Sequence, residues 1–167
     1  MEEQRPKRKS LRLQSYDYSG NGYYFITVCT AVRHQNILST VIPAVGAITN
    51  RPPVQVRLTT WGTVVERAIM EIPDHYPGVT VDCYVIMPDH VHLILAVQQT
   101  GPDGRQIAAP THLSNIIQQF KRAVSRAVGV SIWQKSYYDH IIRTPTDLEK
   151  TRQYIANNPL KRMKEHG

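Results

Sequence analysis

Cysteine is scarce in this sequence. Its two cysteines, Cys29 and Cys83, lie 54 positions apart and match no metal-binding or redox spacing. Both read as small buried apolar residues of a reducing compartment rather than as a disulfide. No apolar run approaches the ~20 residues that a membrane-crossing helix needs, so no membrane association is expected. The opening stretch, Met1 to Ser10, is polar and charged and lacks the apolar centre of a secretory leader. A cytoplasmic protein is the expectation. There is no internal repeat and no long low-complexity tract. Acidic residues are outnumbered, 13 against 20 Lys and Arg, which leaves a formal charge of +7.

The positive charge is clustered. Arg5, Lys7, Arg8, Lys9 and Arg12 open the chain, Lys121, Arg122 and Arg126 share one candidate helix, and Lys161, Arg162 and Lys164 close it. A basic domain of this size favours polyanionic partners, nucleic acid first and anionic membrane second. With 167 residues, 41% of them hydrophobic, the chain can build one core. A single domain over 1–167 is expected, with a basic arm at 1–12, a mobile Gly/Pro-rich loop at 98–110 and a basic tail at 160–167.

Gly22 to Thr30, rich in β-branched and aromatic residues, reads as a strand. Between Gln35 and Thr60 the prolines and Gly46 mark an excursion with two short strands, near Asn36 to Ser39 and Val54 to Leu58. Trp61, Val64, Val65, Ala68, Ile69 and Ile72 recur at helical spacing, and Pro73 with the Tyr76-Pro-Gly78 turn stops that helix. Strands are expected over Val79 to Met87 and His90 to Val97. A second helix, from about His112 to Val128, has Thr111 as its expected N-cap. Ile132-Trp133 and Tyr137 to Ile142 supply the last strand. Thr144-Pro-Thr-Asp147 starts a final helix, which Pro159 is expected to end near Asn158. The nucleus of this order, βαββαβ, predicts an α+β fold of the ferredoxin-like (split βαβ) kind. Its antiparallel sheet carries two packed helices, and a tyrosine-bearing helix follows at the C-terminus.

The stretch Tyr84-Val-Ile-Met-Pro-Asp-His90-Val91-His92 carries the strongest chemical signal. His90 and His92 are two apart on a strand, so both imidazoles leave one face about 7 Å apart along the chain, while Val91, Leu93 and Leu95 point into packing. Two such imidazoles make half of a divalent metal site. Taken alone, they are more often histidines bonded to backbone or solvent. On the last helix Tyr154 and Asn158 stand one turn apart on one face, beside a separate Leu148/Ile155 stripe that can dock the helix on the sheet. A phenol is a potential nucleophile and an amide oxygen a hard-cation ligand. Taken alone, Tyr154 is also a half-buried aromatic, and Asn158 a residue that bonds a loose helix-end carbonyl.

Val85-Ile-Met-Pro-Asp-His-Val-His92 resembles the His-hydrophobic-His (HUH) motif of the REP-associated tyrosine transposases. Ile132-Trp-Gln, Tyr137-Tyr-Asp-His-Ile-Ile-Arg143 and Tyr154-Ile-Ala-Asn-Asn-Pro159 are similar to that family's later blocks and follow in the same order. So does the opening from Tyr16-Asp-Tyr-Ser to Thr30. The similarity covers roughly residues 12 to 163. The Thr40–Val54 segment is longer and richer in proline than a simple hairpin. The chain also stops soon after the tyrosine helix, where some relatives continue, which leaves substrate choice open.

The resemblance implies a metal-dependent single-stranded DNA endonuclease and strand transferase. His90, His92 and Asn158 would hold Mg²⁺ or Mn²⁺, with manganese the better match to imidazole. Tyr154 would be the nucleophile, forming a 5′-phosphotyrosine, and His140 a candidate base. Arg8, Lys9, Arg12, Lys121, Arg122, Arg126 and Lys161 would meet the DNA, a hairpin-containing single strand, with Tyr16 or Tyr18 stacking on unpaired bases. Tyr137 and Tyr138 are better read as sheet aromatics than as rival nucleophiles. A monomer and a dimer are both compatible. Two other functions fit the same residues. One is a non-catalytic ferredoxin-like module binding single-stranded nucleic acid, for which Tyr154→Phe would be silent. The other is a metal-dependent hydrolase using water, which would leave no covalent protein–DNA species.

Overall fold

A computed structural model describes residues 21–32, 35–44, 54–98, 104–105 and 112–166. The expected N-terminal arm with Arg8, Lys9 and Arg12, together with Tyr16, Tyr18 and Thr111, lies outside the described residues. So do nearly all of the 98–110 loop and residues 45–53 of the excursion.

The elements in order are β1 (Gly22–Cys29), β2 (Ser39–Pro43), β3 (Val54–Leu58), α1 (Thr60–Met70), α2 (Ile72–His75), β4 (Val79–Ile86), β5 (His90–Val97), α3 (Leu113–Val128), β6 (Tyr138–Ile142) and α4 (Pro145–His166). The main sheet runs β4-β5-β1-β6, every neighbouring pair antiparallel. With α1 and α3 as crossovers, this is the expected ferredoxin-like order. β2 and β3 form a separate two-stranded ribbon inserted between β1 and α1.

The period of two decides which residues line each face. Tyr24, Ile26 and Val28 of β1 and Val91, Leu93 and Leu95 of β5 are fully buried against Val65 and Ile69 of α1 and Ile116, Ile117 and Phe120 of α3. The opposite face carries Phe25, Ile94, Cys83, Val85 and Ile142, and onto these α4 lays Ile155 and Leu148. The sheet is therefore covered on both sides, by two helices on one and by α4 on the other.

Local chemistry explains the helix starts. Thr59 caps α1, its hydroxyl accepting from the Gly62 amide at 3.1 Å. Thr144 does the same for α4 through the Asp147 amide, also at 3.1 Å. Gly129 ends α3 at φ 86°, a left-handed cap that favours glycine.

Four expectations need correction. The N-cap of α3 is His112 rather than Thr111, because the helix begins at Leu113. The first ribbon strand lies at Ser39–Pro43 rather than Asn36 to Ser39. Its place is fixed by pairing with Val54–Leu58 and by the Ser39 hydroxyl donating to the Ile86 carbonyl at 2.8 Å. The helix expected to run to Ile72 ends at Met70, and Pro73 falls in the first turn of the short α2, where its missing N–H costs nothing. Pro159 does not end the last helix, and residues 160–166 are its continuation rather than a tail. The proline removes the partner of the Ile155 carbonyl. The turns beyond it are held because Pro159 itself is buried, α4 packs on β2 and β3, and Arg162 pairs with Asp89 at 3.3 Å.

Candidate active site

The β4–β5 turn sets the geometry. The Met87 amide donates to the His90 carbonyl at 2.8 Å, closing the turn, and the Thr30 amide donates to the Asp89 carbonyl at 2.9 Å. This fixes the start of β5 beside the end of β1. His90 and His92 then emerge on the α4 face, their rings edge to face with centroids 4.6 Å apart.

Each ring is oriented through Nδ1. His90 Nδ1–H donates to the Asp89 carboxylate at 2.8 Å. His92 Nδ1 lies 2.8 Å from the Thr27 hydroxyl, directly across the ladder on β1. The Asp89 carboxylate can only accept, so His90 carries its proton on Nδ1 and its Nε2 keeps a lone pair for a ligand. The Thr27 hydroxyl can donate or accept, and when it accepts, His92 Nε2 keeps one too. Burial also favours the neutral form. It lowers the His90 pKa despite the nearby Asp89 carboxylate. For His92, burial and then the neighbouring His90 push the value down to about 3. Neutral imidazoles with free Nε2 atoms are what a metal ion requires.

α4 brings the remaining groups. The Tyr154 ring stands edge-on to His92 with centroids 5.5 Å apart, and Phe25 sits 5.3 Å from His92 and 5.9 Å from Tyr154. Tyr154 remains 46% exposed although two other rings flank it. Asn158 is one turn further along and buried, and Arg162, one turn further again, reaches Asp89. Asn158 thus lies on one helical stripe between the Tyr154–His92 and Arg162–Asp89 contacts. Two ion pairs hold the helix in this register. Arg152 makes a two-point contact with Asp82 on β4, at 2.9 and 2.6 Å, before Tyr154, and Arg162 meets Asp89 after it.

Among the described residues no three His, Cys, Asp or Glu side chains converge as a metal site. A metal ion at the histidine pair would therefore draw on a different donor type. Asn158, buried one helical turn beyond Tyr154, carries an amide oxygen, a donor type whose chemistry suits a divalent cation beside two imidazoles.

The other candidates fall elsewhere. His140 is on the same sheet face, paired across the ladder with Phe25, and its Nε2 lies 3.2 Å from Asp147 in the first turn of α4. Lys121 donates to the carbonyls of Gln134 and Ser136, both at 2.9 Å, tying α3 to the segment before β6. Arg122 and Arg126 line a groove of about 320 Å³ between α1–α2 and α3, on the side of the sheet away from Tyr154. Lys161 is exposed and pairs loosely with Glu165 at 3.9 Å. Tyr137 packs at the core edge under Lys121, while Tyr138 is exposed on β6. Sequence reasoning counted Arg162 only in the closing basic cluster and did not single out Thr27, Asp89, Phe25 or Arg152. Asp89 adjoins the histidine pair, but strand register and helix docking decide the roles of the others.

The chain matches the pattern of the IS200-like transposases over residues 21–158. It is 30% identical to an uncharacterized Haemophilus influenzae protein, over 92% of this chain and 88% of that protein. It is 27% identical to the REP-associated tyrosine transposase of Escherichia coli K12, over 62% of this chain and 58% of that one. The fold is similar to that of a REP-associated tyrosine transposase solved bound to a REP hairpin. That similarity has a TM-score of 0.63 at 22% identity, covering 90% of this chain and 74% of the other. No helix among the described residues is long and apolar enough to cross a membrane.

Proposed function

The chain belongs to the IS200-like transposase family, among its REP-associated tyrosine transposases, and from this DNA-processing role we propose a metal-dependent single-stranded DNA nuclease and strand transferase using Tyr154 as nucleophile. The observation that carries the reading is the meeting of Tyr154 with His92, itself 4.6 Å from His90, on elements of one chain.

The Tyr154 oxygen attacks the scissile phosphorus, the bond from phosphorus to the 3′ oxygen breaks, and the downstream strand stays attached as a 5′-phosphotyrosine. The tyrosine gives up its proton and the departing 3′ oxygen gains one. Attack by another 3′-hydroxyl reverses the step and joins two strands. His90, His92 and Asn158 would hold Mg²⁺ or Mn²⁺, which supplies charge neutralisation and orientation of the phosphate. Burial of the histidine pair keeps its donors neutral, and the exposure of Tyr154 leaves its phenol open to an approaching strand. Asp147 precedes Tyr154 by seven residues, about 10 Å of helix, so a His140 held at Asp147 orients the start of α4 rather than serving as the base.

The solved relative's REP hairpin supports a hairpin-containing single strand as substrate. Arg122 and Arg126 provide exposed positive charge for its backbone. The test is a denaturing gel of the protein incubated with labelled hairpin-flanked single-stranded DNA and Mn²⁺. A metal-dependent labelled band at protein mass, absent in Tyr154→Phe, is expected. Cleaved DNA without that band would replace the tyrosine by water, and binding without cleavage would leave a binding module.

A further inference from the structure

We infer that Arg162 is a positioning residue of the active site, acting through Asp89 to orient His90 and to register the tyrosine helix on the histidine strand. Asp89 is 7% exposed, a buried carboxylate that needs a compensating charge. Its Oδ1 accepts from His90 Nδ1 at 2.8 Å and from Arg162 Nη1 at 3.3 Å. The Arg162 side chain is only 17% exposed, so its guanidinium is held rather than waving in solvent. The Thr30 amide fixes the Asp89 main chain, and Arg162 helps to hold the carboxylate in the rotamer that meets His90 Nδ1, which orients the ring.

The helix carrying Arg162 passes through Pro159, where one backbone hydrogen bond is missing. The Arg162–Asp89 contact therefore also holds the turn beyond the break, and with it Asn158. One ion pair joins the two halves of the donor set, the histidine strand and the Tyr154/Asn158 helix.

This inference rests on the metal-site reading above, and the test separates the two. Mn²⁺ binding to the full-length protein, without DNA, is followed by the paramagnetic resonance signal of the free ion. Wild type is compared with His90→Ala, Asp89→Asn, Arg162→Gln, Arg162→Lys and the double variant of Asp89→Asn with Arg162→Gln. A wild type that binds no Mn²⁺, or a His90→Ala that binds it as tightly, overturns the metal-site reading and this inference with it. Given binding lost in His90→Ala, Arg162→Gln is expected to weaken it about tenfold or more, and Arg162→Lys to recover part. The double variant should be no weaker than Asp89→Asn alone, because the two residues act through one contact. Wild-type affinity in Arg162→Gln, or losses that add, overturns the inference and leaves the site standing. A second measurement needs no variant to fold. Long-range ¹H–¹⁵N spectra of the metal-free wild type should show His90 protonated at Nδ1, and an Nε2–H tautomer would equally overturn it.

Discussion

Tyr154 and His92 lie 62 positions apart in the chain, yet their rings meet edge-on at 5.5 Å. The Arg152–Asp82 and Arg162–Asp89 pairs pin α4 on either side of this contact. The ring packing does not depend on the phenolic oxygen. Tyr154→Phe should therefore abolish the covalent protein–DNA band while changing stability by less than about 0.5 kcal/mol, as for an exposed position. A thermal melt run beside the gel checks both, and a loss of fold would show that the hydroxyl is structural.

Thr27 faces His92 across the ladder, and its hydroxyl lies 2.8 Å from the ring's Nδ1. Thr27→Val keeps the shape and removes the oxygen. The buried ring is left with an unpaired polar atom, at a cost of about 1–3 kcal/mol. Mn²⁺ affinity should fall about tenfold or more, because the ring loses the partner that holds its orientation. Calorimetric titration of Mn²⁺ reads this directly, and unchanged affinity would free Thr27 from the role.

How much of this was legible in the sequence follows from the range of each interaction. The main-sheet strands, the bodies of α1 and α3 and the start of α4 rest on local periodicity and capping and were readable, whereas the first ribbon strand was not. The pairing of His90 with His92 needs only the period of two. The Leu148/Ile155 stripe announced a docked helix, and Ile155 is indeed buried against Ile94 and Ile142. Thr27 could not be found, because its place opposite His92 depends on a register between strands 65 residues apart. Pro159 misled for the opposite reason. Its local preference is to end a helix, and burial with the Arg162–Asp89 pair overrides it. Lys121 read as a surface charge, but the carbonyls that hold it belong to a segment 13 to 15 residues away.

Gly62 is a tight point of the fold. A Cβ there would lie 2.0 Å from the Leu38 carbonyl oxygen and 3.2 Å from Leu58 Cβ. The first contact is to backbone, which cannot swing aside. Gly62→Ala should therefore destabilise by about 1–3 kcal/mol or more, although alanine is the better helix former. Urea unfolding measures it, and a neutral or stabilised variant would refute the close approach.

The Arg152–Asp82 pair makes a pH prediction. The hydrogen bonds from Arg152 lower the Asp82 pKa below its usual value. The unfolded carboxyl, at about 3.9, then takes up its proton before the folded one does as pH falls. The pair's contribution is complete above that value and disappears as pH drops through the lower folded one. Asp82→Asn should melt below wild type from pH 7 down to about 4, with the gap closing in more acid solution. A gap that stays constant to pH 3 would assign the difference to something other than this carboxylate.

Arg122 and Arg126 are exposed on α3 at the groove beside α1 and α2, with the sheet between them and Tyr154. That separation lets binding be tested apart from chemistry. If both meet DNA phosphates, replacing both by Gln should lower the log–log salt slope of single-strand binding by about 1.4, at roughly 0.7 per lost contact. Affinity should fall similarly for all sequences, since phosphate contacts carry no base information. Cleavage at saturating DNA should keep its wild-type rate, because neither side chain approaches His90, His92 or Tyr154. Fluorescence anisotropy over a salt series, paired with single-turnover cleavage, decides among the outcomes. An unchanged slope would return these arginines to a solvated helix face. A slower rate at saturation would mean that DNA held on that side helps to place the scissile phosphate.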